Sequence, residues 1–338
     1  GVGVSVKHFA FNNQEINRNA NISTLNPRAM REIYLRNFEI TIKESDPWTV
    51  MSSYNQVNGE YTQQSHGLLT TILRDEWGFK GIVMTDWGTK EGTVKAVQAQ
   101  NDLMEPGAPV ENERILAAIK DGSLKMEDLD RNVRNMLNYI VRTPHFRGYK
   151  YSDNPDLMAH AQRVLEAATQ GMVLLKNKAN ALPMKDIKNV ALFGLTAYHS
   201  IAGGTGSGNV NKAYVRNIDE GLAAAGFTLD EKLATYYQDY LKTANDKAAI
   251  NDGQGGGFGV LLGEAVVPDP AIDKQAIKNT VTRNDAAVIV IGRNAGEGDD
   301  RRVENDWNLT AAETDLINQV CNYYHQAGKK VDVVMNIG

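Results

Sequence analysis

A single cysteine, Cys321, stands in a chain of 338 residues. A disulfide within the chain is therefore excluded, and so is a cysteine-based metal site. In the helical pattern ETDLINQVCNYYHQAG this cysteine reads as core. The compartment stays open, because many exported proteins lack disulfides; a secreted or periplasmic location is favoured over a cytoplasmic one. No apolar run approaches the length of a membrane span. Basic charge is not in excess either: 36 Lys and Arg face 41 Asp and Glu, a formal net charge of −5. That balance argues against nucleic acid or an anionic membrane as the main partner. What is present is ordinary for a soluble globular protein, with 42% hydrophobic and 23% charged residues. The length suffices for two domains, or for one large barrel with part of another.

The ends are unusual. GVGVSVKHF opens in a strand-like pattern with neither an initiator methionine nor a signal peptide, and KKVDVVMNIG closes as a buried strand that stops at a glycine. The chain reads as a piece of a longer polypeptide.

Residues 1–143 alternate strand and helix. Val2 to Val6 reads as a strand, and NPRAMREIYLRNFEITIKE as a helix with Pro27 at its first position and Met30, Ile33, Tyr34, Phe38 and Ile42 on one stripe. TVMSSYN, GIVMTDWG and the short DLMEPG supply further strands. HGLLTTILRDEWGF, TVKAVQAQ, ENERILAAIKDG and MEDLDRNVRNMLNYIVRT supply helices. This rhythm predicts a parallel sheet with right-handed crossovers. About four strands are present, roughly half of what an eight-stranded barrel needs. Residues 144–155, PHFRGYKYSDNP, are rich in turn formers and read as a linker. A second α/β unit follows over 156–338: helix LMAHAQRVLEAATQG, strands MVLLKN and NVALFG, the loop AGGTGSGNVN, strand AAVIVIGR and helix TAAETDLINQV, with a long loop over 251–270.

Four segments carry residues suited to chemistry. In GIVMTDWG a buried apolar run ends in Asp86 and Trp87. An ionisable residue at the C-terminal end of a parallel strand sits where barrel active sites are built, although a lone acid there is more often a helix N-cap with the tryptophan as core. KHFAFNNQEINR begins at another strand end and places Lys7 and His8 at the same sheet edge, followed by Asn12, Asn13, Glu15 and Arg18. Lys and His offer several donors to adjacent hydroxyls; alone, the segment is equally a hydrated loop with an internal ion pair. In SSYNQVNGEY, Tyr54 follows a strand and Asn58-Gly59 marks a tight turn. The fourth segment, RNAGEGDDRRVENDW, presents Glu297 between Gly296 and Gly298, which let the chain extend into a cleft; such a charged loop is as often merely solvated.

Taken in order, KHFAFNNQEINR, SSYNQVNG, LLTTILRDEWGFKGIVMTDWG, DLMEPG, GMVLLKNKANALP and GEGDDR resemble the landmarks of family 3 glycoside hydrolases, over nearly the whole chain. The resemblance implies the C-terminal half of a (β/α)8 barrel followed by part of an α/β sandwich domain, with the active site between them. It implies a retaining, exo-acting β-glucosidase acting on β-linked glucosides or cello-oligosaccharides; β-xylosidase or exo-glucanase activity, or a catalytically silent carbohydrate-binding fragment, are the alternatives. Asp86 matches the nucleophile, Glu297 the general acid/base, and Lys7, His8, Arg18, Tyr54 and Trp87 match positions that bind the sugar or orient the nucleophile. No cofactor and no metal are implied. The family's early-strand aspartate and an arginine upstream of the Lys-His pair are not contained in this chain, so the missing barrel half is expected from the rest of the polypeptide or another chain, and a homo-oligomer stays possible. The NNQE and GEG motifs speak against the hexosaminidase branch. The loop AGGTGSGNV fits neither a dinucleotide fingerprint nor a P-loop, which sets a dehydrogenase aside.

Overall fold

The computed structural model describes residues 2–89, 92–252 (backbone alone for 245–252), 267–294, 296–298 and 300–337. The chain divides into two compact units, Gly1–His160 and Ala161–Gly338. Both are mixed α/β with parallel sheets.

The first unit is built on strands β1 (Ser5–Phe9), β3 (Thr49–Ser52) and β6 (Ile82–Met84), which pair in parallel in the order β1-β3-β6. Val50, Ile82 and Val83 are buried because these short strands are covered on both faces, which explains their continuous apolar pattern. The expected fourth strand, DLMEPG, contributes only a bridge between Met84 and Leu103. The first strand also differs from the expected Val2–Val6. Its partner begins at Thr49, so pairing starts at Ser5↔Thr49, and Val2 and Val4 are exposed. Between β1 and β3 lies β2 (Ile22–Ser23), which pairs with β4 (Gln56–Val57). β4 turns into β5 (Glu60–Tyr61) through Asn58-Gly59, both at positive φ, the turn that matches strand twist.

The helical stretch after β2 starts where the sequence predicts. The Asn26 side chain accepts the Ala29 N–H at 2.8 Å, and Pro27 takes the first helical position. Its apolar stripe follows the expectation at Met30, Tyr34, Phe38 and Ile42, which lie in or pack on the core, and departs from it at Ile33. A π-helical turn over Met30–Tyr34 takes up one extra residue, so Leu35 is buried while Ile33 is 67% exposed. Phe9 is the centre of this core, edge-on to Phe38 and Trp77 at centroid distances of 5.2 and 5.9 Å.

In the second unit four parallel strands run in the order β10-β9-β7-β8: β7 (Asn189–Phe193), β8 (Thr228–Leu229), β9 (Ala286–Arg293) and β10 (Lys330–Ile337). Helices Ile218–Ala224, Lys274–Val281 and Ala311–Gln326 belong to this unit. Three expectations are corrected. MVLLKN, residues 172–177, forms no strand; it finds no ladder partner among the described residues, and Met172, Val173, Leu174 and Leu175 lie exposed. Cys321 is half-buried rather than core, because the buried stripe of its helix runs through Leu316, Val320 and Tyr324, one residue away. The loop expected over 251–270 does not include Asn251 and Asp252, which belong to the helix Glu231–Asp252; residues 253–266 lie outside the described residues.

Gly194, at the end of β7, has φ +96°, and a Cβ there would lie 2.0 Å from the Val290 carbonyl oxygen of the neighbouring strand. Gly194→Ala is expected to destabilise the chain by about 2–4 kcal/mol, from left-handed strain and overpacking together. Urea unfolding followed by circular dichroism reads this directly, and a cost near zero would contradict the tight β7–β9 approach.

Candidate active site

Parallel strands deliver their C-terminal ends to one edge of the sheet, and in the first unit that edge gathers His8, Tyr54 and Asp86. Asp86 lies two residues beyond β6 and is 8% exposed. Its backbone is pinned on both sides: its N–H donates to the Ser52 carbonyl at 3.2 Å, and the Gln63 side-chain amide donates to its carbonyl at 3.4 Å. It caps no helix, since the next one begins at Thr93. Asp86 Oδ1 accepts the Trp87 N–H at 2.9 Å, and Oδ2 lies 3.5 Å from His8 Nε2. The Tyr54 hydroxyl accepts the same Trp87 N–H at 3.2 Å and hydrogen-bonds the Asp86 carboxylate. Burial, then the negative charge and hydrogen bond of Asp86, push the Tyr54 phenol well above its ordinary value, so it stays a neutral donor. The guanidinium of Arg18 lies 4.8 Å over the Tyr54 ring and pairs with Glu15 at 3.0 Å. Lys7, beside His8, is exposed, and Trp87 is 64% exposed next to the buried acid. Such an arrangement offers a fixed carboxylate, a ring of donors around it and an open aromatic face.

Beneath this edge lies a polar layer that sequence reading does not single out. Ser52, Gln63, Thr85 and Asn101 are fully buried. The Asn101 amide donates to Ser52 Oγ at 3.0 Å and to the Gln63 carbonyl at 3.1 Å, while Ser52 Oγ donates to the Met84 carbonyl at 3.2 Å. The loop that follows Trp87 is held by Glu111, whose carboxylate accepts from the hydroxyls of Thr89, at 2.8 Å, and Thr93. Each of these residues makes at least one hydrogen bond, since burying a polar group alone is costly, although Gln63 Oε1 and Asn101 Oδ1 are buried without a partner. The only sequence signal is a cluster of small polar residues after each apolar run.

Glu297 belongs to the second unit, in the loop that leaves the end of β9, between Gly296 and Gly298 at φ +153° and +110°. At the start of that loop Arg293 makes a bidentate pair with Glu313, at 2.6 and 2.8 Å, and donates to the Asp306 carbonyl. Burial works against the Glu313 charge, but Arg293 and the Thr310 N–H hold its carboxyl below the usual range. Among the described residues no group of three His, Cys, Asp or Glu is placed to hold a metal ion.

Comparison with known proteins identifies the family. Residues 1–139 match the profile described as Glycosyl hydrolase family 3 N terminal domain, and residues 172–338 match Glycosyl hydrolase family 3 C-terminal domain. Among solved structures, that of β-glucosidase 3B from Thermotoga neapolitana in complex with α-D-glucose is similar with a TM-score of 0.89 and 42% identity, over 99% of this chain and 47% of that one. Among curated proteins, β-glucosidase B of Emericella nidulans is 40% identical over 67% of this chain and 28% of its own length. An exo-α-(1→6)-L-arabinopyranosidase of Bifidobacterium breve is 37% identical over 68% of this chain and 32% of its own. The chain thus spans less than half the length of these relatives. With both profiles matched in order along the same polypeptide, the chain belongs to glycosyl hydrolase family 3.

Proposed function

We propose that this chain carries the nucleophile and the acid/base of a retaining, exo-acting β-glucosidase, active in a polypeptide that also supplies the remaining barrel strands. The observation that carries this reading is the buried Asp86 carboxylate at a strand's C-terminal end, ringed by His8 and Tyr54 and flanked by exposed Trp87. In the first step Asp86 attacks the anomeric carbon while Glu297 gives its proton to the departing glycosidic oxygen, leaving a glycosyl ester on Asp86. Glu297, now a carboxylate, takes a proton from water, whose oxygen attacks the same carbon; the ester breaks, and glucose leaves with its configuration retained. Such chemistry requires the two carboxyl groups about 5–5.5 Å apart. Trp87 provides a face for the sugar ring, and Lys7, His8 and Arg18 provide donors for its hydroxyls.

The test is a panel of aryl glycosides, β-glucoside, β-xyloside and α-L-arabinopyranoside, with the anomer of the first product read by NMR. β-Glucoside turnover with retention is expected. Preference for xylose or arabinopyranose would replace the sugar assignment, and inversion would remove the mechanism. Turnover of none of them would favour a silent carbohydrate-binding role.

Tyr54→Phe is expected to lower kcat/KM about 10–100-fold, the worth of a hydrogen bond to a charged group. The Trp87 N–H would lose one acceptor and Asp86 one donor. A change smaller than twofold would show that Tyr54 does not orient the nucleophile.

A further inference from the structure

We propose that the glycine-rich loop after β7 is the positioning element for Glu297; this rests on the reading of Glu297 as acid/base. Three residues of the loop, Thr205, Gly206 and Ser207, lie against Glu297 and Gly296. The Thr205 hydroxyl donates to the Glu297 carbonyl at 2.7 Å, and Thr205 forms a parallel bridge with Gly296. The Ser207 N–H points at Glu297 Oε2 at 2.5 Å. Gly206 lies between these two anchors with φ +61°, and a Cβ there would stand 2.5 Å from Glu297 Cβ and 2.6 Å from Oε2. No side chain fits without displacing the glutamate. The same closeness holds in reverse, since a Cβ on Gly296 would lie 2.4 Å from the Thr205 nitrogen. At its other end the loop is fixed to the sheet: the Ile201 N–H donates to Asn336 Oδ1 at 2.7 Å, and the Asn336 amide donates back to the Ile201 carbonyl at 3.2 Å. β10 therefore holds the loop and the loop holds the carboxylate. Glycines flank Glu297, so its own segment has little intrinsic preference for one conformation. The position of the acid is set from outside, by Thr205, Gly206 and the Ser207 N–H. This accounts for a glycine cluster that fits no phosphate-binding pattern.

The experiment compares Thr205→Val, Thr205→Ser, Gly206→Ala and Glu297→Ala in the polypeptide that turns over glycoside, using the sugar the panel selects. A misplaced acid/base leaves a distinct signature. Hydrolysis of a phenyl glycoside, whose leaving oxygen needs a proton, falls far more than attack on a dinitrophenyl glycoside, and azide restores turnover by replacing deprotonated water and yields glycosyl azide. Gly206→Ala is expected to lose about 100-fold on the phenyl substrate, the scale of a misplacement near 1 Å, with azide rescue on the dinitrophenyl one. Thr205→Val is expected to lose about tenfold with the same signature, and Thr205→Ser, which restores the hydroxyl, to stay near wild type. Equal losses on both substrates without rescue in Gly206→Ala and Thr205→Val, while Glu297→Ala is rescued, would overturn the positioning role alone. Glu297→Ala without rescue or leaving-group dependence would overturn the acid/base assignment itself, and the inference with it.

Discussion

Asp86→Ala is expected to reduce kcat/KM on an aryl β-glucoside by about 10⁴–10⁶-fold, the range seen when a covalent nucleophile is removed. The scale follows from the site. Asp86 is the acid that His8 and Tyr54 face, and its backbone is fixed through Ser52 and Gln63. Glu111 is committed to Thr89 and Thr93. Asp102 is committed to Arg74, to the Val83 N–H and to Asn135. Reaction of the unsubstituted polypeptide with a 2-fluoro glucoside, followed by peptide mapping, is expected to place the label on Asp86. The fluorine slows both formation and hydrolysis of the glycosyl ester, and a dinitrophenolate leaving group speeds formation alone, so the ester accumulates. A label elsewhere, or normal turnover by Asp86→Ala, would remove the nucleophile from this position.

The parts of the site that were legible are those in which one residue type has few other uses. An apolar run as short as Ile82–Met84 reads as a strand, and an acid at its end reads as functional once Tyr54 and the Lys-His pair fall at the ends of other strands. Asn58-Gly59 was legible for a similar reason, since two adjacent positive φ values leave little choice of residues. What was not legible depends on contacts distant in sequence or on small changes of phase. The π-helical turn over Met30–Tyr34 exchanges Ile33 for Leu35 in the core, and no local propensity announces it. MVLLKN has a strand's composition, but composition supplies no partner. Asn101 and Gln63 are ordinary polar letters until the fold buries them against Ser52. Gly206 reads as one of several glycines until Glu297, 91 positions away by residue number, is seen against it.

Replacing Arg74 by methionine is expected to cost about 3–5 kcal/mol of unfolding free energy, the price of leaving a buried charge without its partner. Arg74 and Asp102 pair at 2.6 Å with side-chain exposures of 9% and 0%. The pair sits against β6, the strand that carries Asp86. Asp102 Oδ2 accepts the Val83 N–H at 2.9 Å, Oδ1 accepts the Asn135 amide at 2.8 Å, and Arg74 donates to the Gly81 carbonyl at 3.0 Å. Burial pushes the Asp102 carboxyl above its ordinary value even with Arg74 beside it, and burial pulls the Arg74 guanidinium below its own. Removing the cation leaves burial unopposed by charge, so the Asp102 carboxyl moves further up. A carboxyl raised in the folded state binds protons there more tightly than in the unfolded chain. The Arg74→Met protein therefore keeps most stability below the unfolded carboxyl pKa and loses it as pH rises through the higher folded value. Its deficit against wild type is expected to be largest near neutral pH and to shrink toward about pH 4, close to the ordinary aspartate value. The double variant Arg74→Met/Asp102→Asn, which removes both charges, is expected to recover part of the loss and to show little of this pH dependence. Urea unfolding of the chain followed by circular dichroism at the two pH values decides the matter. A cost below about 1 kcal/mol, typical of an exposed pair, or a deficit that does not change with pH, would mean that this ion pair does not hold β6 in place.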